Sequence, residues 1–206
     1  MWKNLCIFAV VYTLPKVVQK KTKKDINMNS NRDIKDVARY LGITLLYKKY
    51  SVSPLKLQKI LYYTQSWYMV FFGEENTLFK ECPQAWVNGP VYPTIYKEYR
   101  NKVEYMAHEL LPKHFGCTED SLTTEAELLA KKMELTADEI KCINSILSLY
   151  GSKTQDQLVF LSHCEDPWVK NRGNLQPYEY SNKEIPLKEM YDYYRARYDN
   201  NRKNKQ

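Results

Sequence analysis

The stretch from Ser53 to Gly73 limits what this chain can fold into more than any other. It reads Ser-Pro-Leu-Lys-Leu-Gln-Lys-Ile-Leu-Tyr-Tyr-Thr-Gln-Ser-Trp-Tyr-Met-Val-Phe-Phe-Gly. At about 100° per residue, Leu57, Ile60, Leu61, Thr64, Tyr68 and Phe71 fall on one helical stripe, the pattern of a core-facing face. The opposite side carries Leu55, Tyr62, Met69 and Val70 beside only Lys59 and Ser66. A second surface therefore has to cover it, supplied by the rest of the domain or by a partner. Ser53 is placed to cap the helix, Pro54 suits its first turn, and Gly73 can end it. Nineteen residues, Pro54 to Phe72, match a membrane span in length, but Lys56, Gln58, Lys59 and Gln65 fall inside. A charge at membrane depth costs roughly 3 kcal/mol, so the expectation is a buried helix of a soluble domain.

Net charge is +7 over 206 residues, which raises nucleic acid as a partner. The excess lies at the ends. Residues 1–27 hold six lysines against Asp25, a net +5, and residues 195–206 hold five basic residues against Asp199, a net +4. Residues 28–194 are left at −2, a poor surface for tracking phosphates, so nucleic acid is disfavoured. The five cysteines, Cys6, Cys82, Cys117, Cys142 and Cys164, are scattered and unpaired in spacing, which fits a reducing compartment and a cytoplasmic location. Leu5 to Leu14 resembles a short secretory core behind Lys3, yet it runs into Pro15 and lysines rather than a cleavage site. Met28, followed by a polar run and then a helical pattern, reads as an internal start. Residues 1–27 are accordingly expected to be an extension without a folded role, a weak membrane-surface anchor being the other reading.

Other elements follow from local pattern. Ile34, Val37, Ala38, Leu41, Leu45 and Leu46 predict a first amphipathic helix ending near Lys49. Leu78 to Val87 is compatible with a short strand, and Asn88-Gly89-Pro90 forces a turn. Pro93 opens a further helix, which the run from Glu104 to Leu111 extends. Glu125 to Met133 is rich in helix formers. Thr136 with Glu139, and Thr154 with Gln157, are capping boxes for two more helices. A last helix begins near Pro186 and fades into a basic tail. The expected fold is mainly α: one multi-helix domain over residues 28–195 with one small β hairpin, then a disordered tail over 196–206.

Chemistry is thinly supported. His163 and Cys164 are adjacent, but neighbours on a helix point about 100° apart and cannot form the bonded pair that Cys/His catalysis requires. The base would have to be His108 or His114. His114 and Cys117 supply two zinc positions at most, with only single residues such as Cys82 or Cys164 to complete them. No phosphate-binding glycine motif is present. The expectation is a non-enzyme with no cofactor and no metal. The eighteen tyrosines and four tryptophans point instead to core packing and protein contact.

Three motifs in order carry a family resemblance: Ser53-Pro54-Leu55-Lys56-Leu57-Gln58-Lys59-Ile60-Leu61-Tyr62-Tyr63 with Trp67; Ala85-Trp86-Val87-Asn88-Gly89-Pro90-Val91-Tyr92-Pro93 with Tyr96; and Leu161-Ser162-His163 with Pro167-Trp168. The chain resembles the SocA-like antitoxin family, also called the Panacea domain and found in GepA-type phage-associated proteins, over about residues 33–195. Ser162 stands where the family pattern suggests Thr and keeps the hydroxyl. The resemblance implies a helical binding domain of bacterial or phage origin that neutralises a toxin encoded beside it by direct contact. For the founding member it implies delivery of the toxin to a Clp-type protease. It brings no catalytic residues, no small-molecule substrate and no membrane. Tyr62, Tyr63, Trp67, Trp86 and Tyr92 are the candidate toxin contacts. Lys56, Gln58, Lys59, Gln65, Gly89, Pro90, His163 and Trp168 are the motif positions expected to hold the fold. The competing readings are a Cys/His enzyme at His163 and Cys164, and a nucleic-acid-binding protein using the basic ends.

Overall fold

A computed structural model describes residues 32–203. Helix α1 (Ile34–Tyr47) starts where the Asp33 carboxylate accepts the Lys35 backbone N–H at 2.9 Å. Helix α2 (Pro54–Phe72) starts where the Ser53 hydroxyl accepts the Lys56 N–H, and it ends at Gly73, whose φ of 109° is open to glycine. A hairpin of β1 (Gln84–Trp86) and β2 (Gly89–Val91) follows, then α3 (Pro93–Arg100), two short 3₁₀ turns, and α4 (Leu122–Lys132). Helices α5 (Ala137–Tyr150) and α6 (Gln155–His163) both begin with the capping box expected of them. Helices α7 (Asp166–Arg172) and α8 (Leu187–Lys203) complete the chain. The expected mainly α fold with one small hairpin is what forms.

Every residue of α2 from Lys56 to Val70 is buried. The surface that covers its second face is the domain itself: α5 and α8 pack along it, with α1, α3, α6 and β2 completing the enclosure. Its polar side chains hold neighbouring loops. Lys56 Nζ donates to the Gly151 carbonyl at 2.7 Å. Gln58 takes the Tyr92 N–H at 2.8 Å, and Gln65 pairs with the Leu78 N–H and the Phe79 carbonyl. Residues that rule out a membrane span on sequence grounds thus bond loop backbone that would otherwise be buried without partners. Among the described residues, no helix is long and apolar enough to cross a membrane.

A buried charge group ties Arg32, just ahead of α1, to the core. Arg32 meets Glu139 at 2.8 Å and donates to the Met133 carbonyl, while the Tyr68 hydroxyl also donates to Glu139. Burial alone would raise the Glu139 pKa, but the bonds from Arg32 and Tyr68 hold it below the usual carboxylate range.

Two expectations are corrected. Residues 104–111 do not prolong α3, which stops at Arg100. Their backbone instead bonds the first turn of α2 and the segment before it, with the Leu55 N–H on the Met106 carbonyl and the Leu110 N–H on the Val52 carbonyl. The expected tail is helical as far as Lys203, because Tyr198 buries against Phe71 of α2 with ring centres 5.6 Å apart. The expected extension over residues 1–27 lies outside the described residues.

Candidate functional site: an aromatic surface around the hairpin

The hairpin pairs Gln84 with Val91, Ala85 with Pro90 and Trp86 with Gly89, leaving Val87 and Asn88 at the tip. Its sharp return depends on Gly89, at φ 91°. A Cβ there would stand 2.6 Å from Ser162 Oγ and 2.8 Å from Lys59 Cε, so only glycine fits. Three separate stretches of sequence, around Lys59, Gly89 and Ser162, meet at this one point. Lys59 is wholly buried and donates to the Pro90 carbonyl at 2.8 Å. Burial pushes its pKa down to about 7, so much of it is a neutral amine near physiological pH.

Next to this point the His163 ring stacks on Trp168 at 4.0 Å between centres, and Trp168 Nε1 donates to the Trp86 carbonyl at 2.9 Å. Burial, with Lys59 adding to it, lowers the His163 pKa, and its Nε2 is buried without a hydrogen-bond partner. The imidazole braces the tryptophan as a flat ring. It acts as a spacer between α6, α7 and the hairpin.

Above this frame lies a partly open row of rings. Trp86 is half-buried and meets Tyr96 of α3 edge-on at 4.8 Å, with the Tyr180 ring 6.2 Å away. Tyr180 belongs to the segment joining α7 to α8, which arches over the hairpin. The buried Arg172 guanidinium holds that arch by donating to the carbonyls of Gln176 and Glu179 at 2.7 Å and of Ala85 at 3.4 Å. Strand-like bonds, Ala85 N–H to the Lys183 carbonyl and Ile185 N–H to the Pro83 carbonyl, fix its far end. Tyr178 and Tyr180 are exposed at its crest.

The structure separates the candidate contacts. Tyr62, Tyr63, Trp67 and Tyr92 have no accessible surface. A partner cannot reach them while the domain is folded, and among the five only Trp86 offers part of its ring to solvent. The motif residues Lys56, Gln58, Lys59 and Gln65 are buried loop ties, Gly89 and Pro90 open β2 directly after the Val87–Asn88 turn, and His163 with Trp168 braces Trp86. Sequence reasoning did not single out Tyr178, Tyr180 or Arg172. The signal was Pro177-Tyr178-Glu179-Tyr180, two tyrosines in a segment with no core-facing period, where no helix or strand would bury them.

The histidines that a Cys164 nucleophile would need are engaged elsewhere. His108 packs edge-on against Tyr105 at 4.9 Å, and His114 Nδ1 accepts the Leu111 N–H at 2.9 Å. Among the described residues, no group of three or more His, Cys, Asp or Glu side chains is arranged to hold a metal ion.

Comparison with curated proteins and with solved structures gave no match. The family model for the antitoxin SocA-like Panacea domain matches residues 57–169, more than half of the chain. That span, narrower than the resemblance over about residues 33–195, starts at Leu57 within the first motif and runs through the hairpin to the Trp168 brace, and so contains the point where the three stretches meet. On that match the chain belongs to the SocA-like antitoxin family, which supports an antitoxin-type role.

Proposed function

We propose that the protein binds a protein toxin encoded nearby and neutralises it by direct contact, in the cytoplasm and without chemistry of its own. One observation carries this reading: a row of partly exposed rings, Tyr96, Trp86 and Tyr180, sits on a frame whose loops are bonded into the core. Tyrosine and tryptophan offer large contact area at low entropic cost, and a rigid frame lowers that cost further. The residues converging beneath the rings are those of the family motifs, so the family-wide function and this surface share one scaffold.

Co-expression with the product of the neighbouring reading frame tests the proposal. Trp86→Ala should leave a folded protein, by circular dichroism, that no longer rescues growth. Full rescue by the folded variant would sink the reading. Toxin lifetime in cells with and without the Clp protease distinguishes occlusion from delivery. A lifetime shortened only when the antitoxin and the protease are both present identifies delivery.

A further inference from the structure

We infer that the arch between α7 and α8 selects the partner, with Tyr178 and Tyr180 as specificity-determining contacts and Arg172 as the residue that positions them. The inference rests on the toxin-binding reading above and adds to it which residues tell one toxin from another.

Tyr178 and Tyr180 are 84% and 69% exposed, more than any other large apolar side chain among the described residues. Exposed aromatic rings on a mobile loop would bind poorly, because ordering the loop would consume the gain. Here the backbone is fixed in advance. The Arg172 guanidinium is buried and bonds two carbonyls of the arch and one of β1. The Glu179 N–H returns to the Gln176 carbonyl, and the Glu179 carboxylate takes the Gln176 N–H. Five donors in a planar fork are what holding several carbonyls at once requires, and a lysine cannot reproduce that geometry.

Position along the chain supplies the second argument. The family model ends at residue 169, while Arg172, Tyr178 and Tyr180 all lie beyond it. Trp86, Tyr96 and the His163–Trp168 brace lie within it. The surface is therefore built from two sources, a segment matching the family and an arch outside the match, joined at the contact of Trp86 with Tyr180. Discrimination between toxins calls for contacts beyond those of the shared domain, and the arch, which lies outside the matched span, is the part of this surface that can supply them. The partner it fits presents an apolar cleft for two phenol rings, with acceptors for their hydroxyls at its edge.

The test uses the full chain and two purified probes: the product of the neighbouring reading frame, and the toxin paired with another member of the family. Dissociation constants are measured for wild type, for Trp86→Ala, and for the double variant Tyr178→Ala with Tyr180→Ala. The double variant should lose about 30-fold in affinity for the first probe, as for a hot spot. It should lose much less for the second probe, so that the ratio between them narrows. Arg172→Lys should lose about fivefold in the wild-type background and nothing further in the double variant, since its effect passes through the two rings. Equal losses for both probes, or a separate additive loss from Arg172→Lys, would overturn the inference. If the double variant binds as wild type while Trp86→Ala does not, the arch is excluded and the toxin-binding surface stands. If neither change alters binding, the surface reading itself falls and the inference with it. Because the two tyrosines are exposed, their removal leaves folding intact, so the result is readable even where an Arg172 variant unfolds.

Discussion

Tyr62, Tyr63 and Trp67 on α2 have no accessible surface, whereas Tyr178 and Tyr180 on the arch stand almost free of the domain. The two groups are chemically alike and meet opposite fates. Around α2 the rings are closed in by other helices: Tyr63 stacks on Tyr150 at 4.1 Å, Trp67 Nε1 donates to the Tyr150 hydroxyl at 3.0 Å, and Tyr194 of α8 meets Trp67 edge-on at 5.1 Å. Tyr194 is itself held by the Glu165 carboxylate at 2.5 Å. On the arch it is the backbone that is held, and the rings are left out. What separates a buried aromatic from an exposed one in this protein is whether another element arrives to cover it.

The contrast breaks most readily at Trp67. Trp67→Ala should cost about 3–5 kcal/mol of stability, because α5 and α8 cannot close over the space left behind. Urea unfolding measures it, and a loss under about 1 kcal/mol would mean that α2 is not sealed. Gly89→Ala comes next, at roughly 2–4 kcal/mol, since it combines an unfavourable positive φ with a clash against Ser162 and Lys59. Thermal melting should show the drop, and a melting point within a degree of wild type would refute the meeting point beneath the hairpin.

The seal around α2 also predicts a dependence on pH. Lys59 titrates at about 7 in the folded protein, against about 10.4 in an unfolded chain. Between these values the unfolded chain holds the proton and the folded one releases it. The contribution of this group is therefore lowest below pH 7 and rises as pH climbs towards 10. The buried phenols of Tyr62, Tyr63, Tyr92 and Tyr194, raised by burial, act in the opposite sense only above pH 10. Lys59→Met should flatten the rise by roughly 2–3 kcal/mol. Parallel urea midpoints for variant and wild type from pH 7 to 10 would count against a sealed amine.

On the surface side, Trp86→Ala should cost about 2 kcal/mol of binding and less than half the stability lost at Trp67. Calorimetry against the toxin, paired with a melt, measures both. Removing Tyr178 and Tyr180 should change stability by no more than about 0.5 kcal/mol, the ordinary size for exposed positions. A larger loss in urea unfolding would show the arch tyrosines to be structural, which would erase the comparison.

Much of this was readable from local sequence. The caps at Ser53, Thr136 and Thr154 and the stop at Gly73 depend on residues within a turn of one another, and each forms where expected. Asn88-Gly89-Pro90 announces the hairpin for the same reason. Residues 104–111 and 196–203 depart from their local pattern because distant partners decide them: the segment at Val52–Leu55 takes the backbone of the first, and α2 takes Tyr198 of the second. At the site, Trp86, Gly89, His163 and Trp168 were visible as motif residues, but their arrangement as ring, turn and brace was not. Arg172 carried no signal, since its partners are carbonyls from the arch and β1, and carbonyls are present at every residue.

By itself the sequence determined that α2 is a helix with two apolar faces, that polar residues bar it from a membrane, and which motifs accompany it. Those properties follow from side-chain chemistry and a period of 3.6 residues, both local. Only the tertiary structure decided what covers the second face. It packed that face against the domain's own elements, α5, α6, α8 and β2 among them, and left part of Trp86 and the arch tyrosines open to solvent. Burial is a property of pairs of elements brought together across the chain, and the α2 sequence specifies one member of each pair.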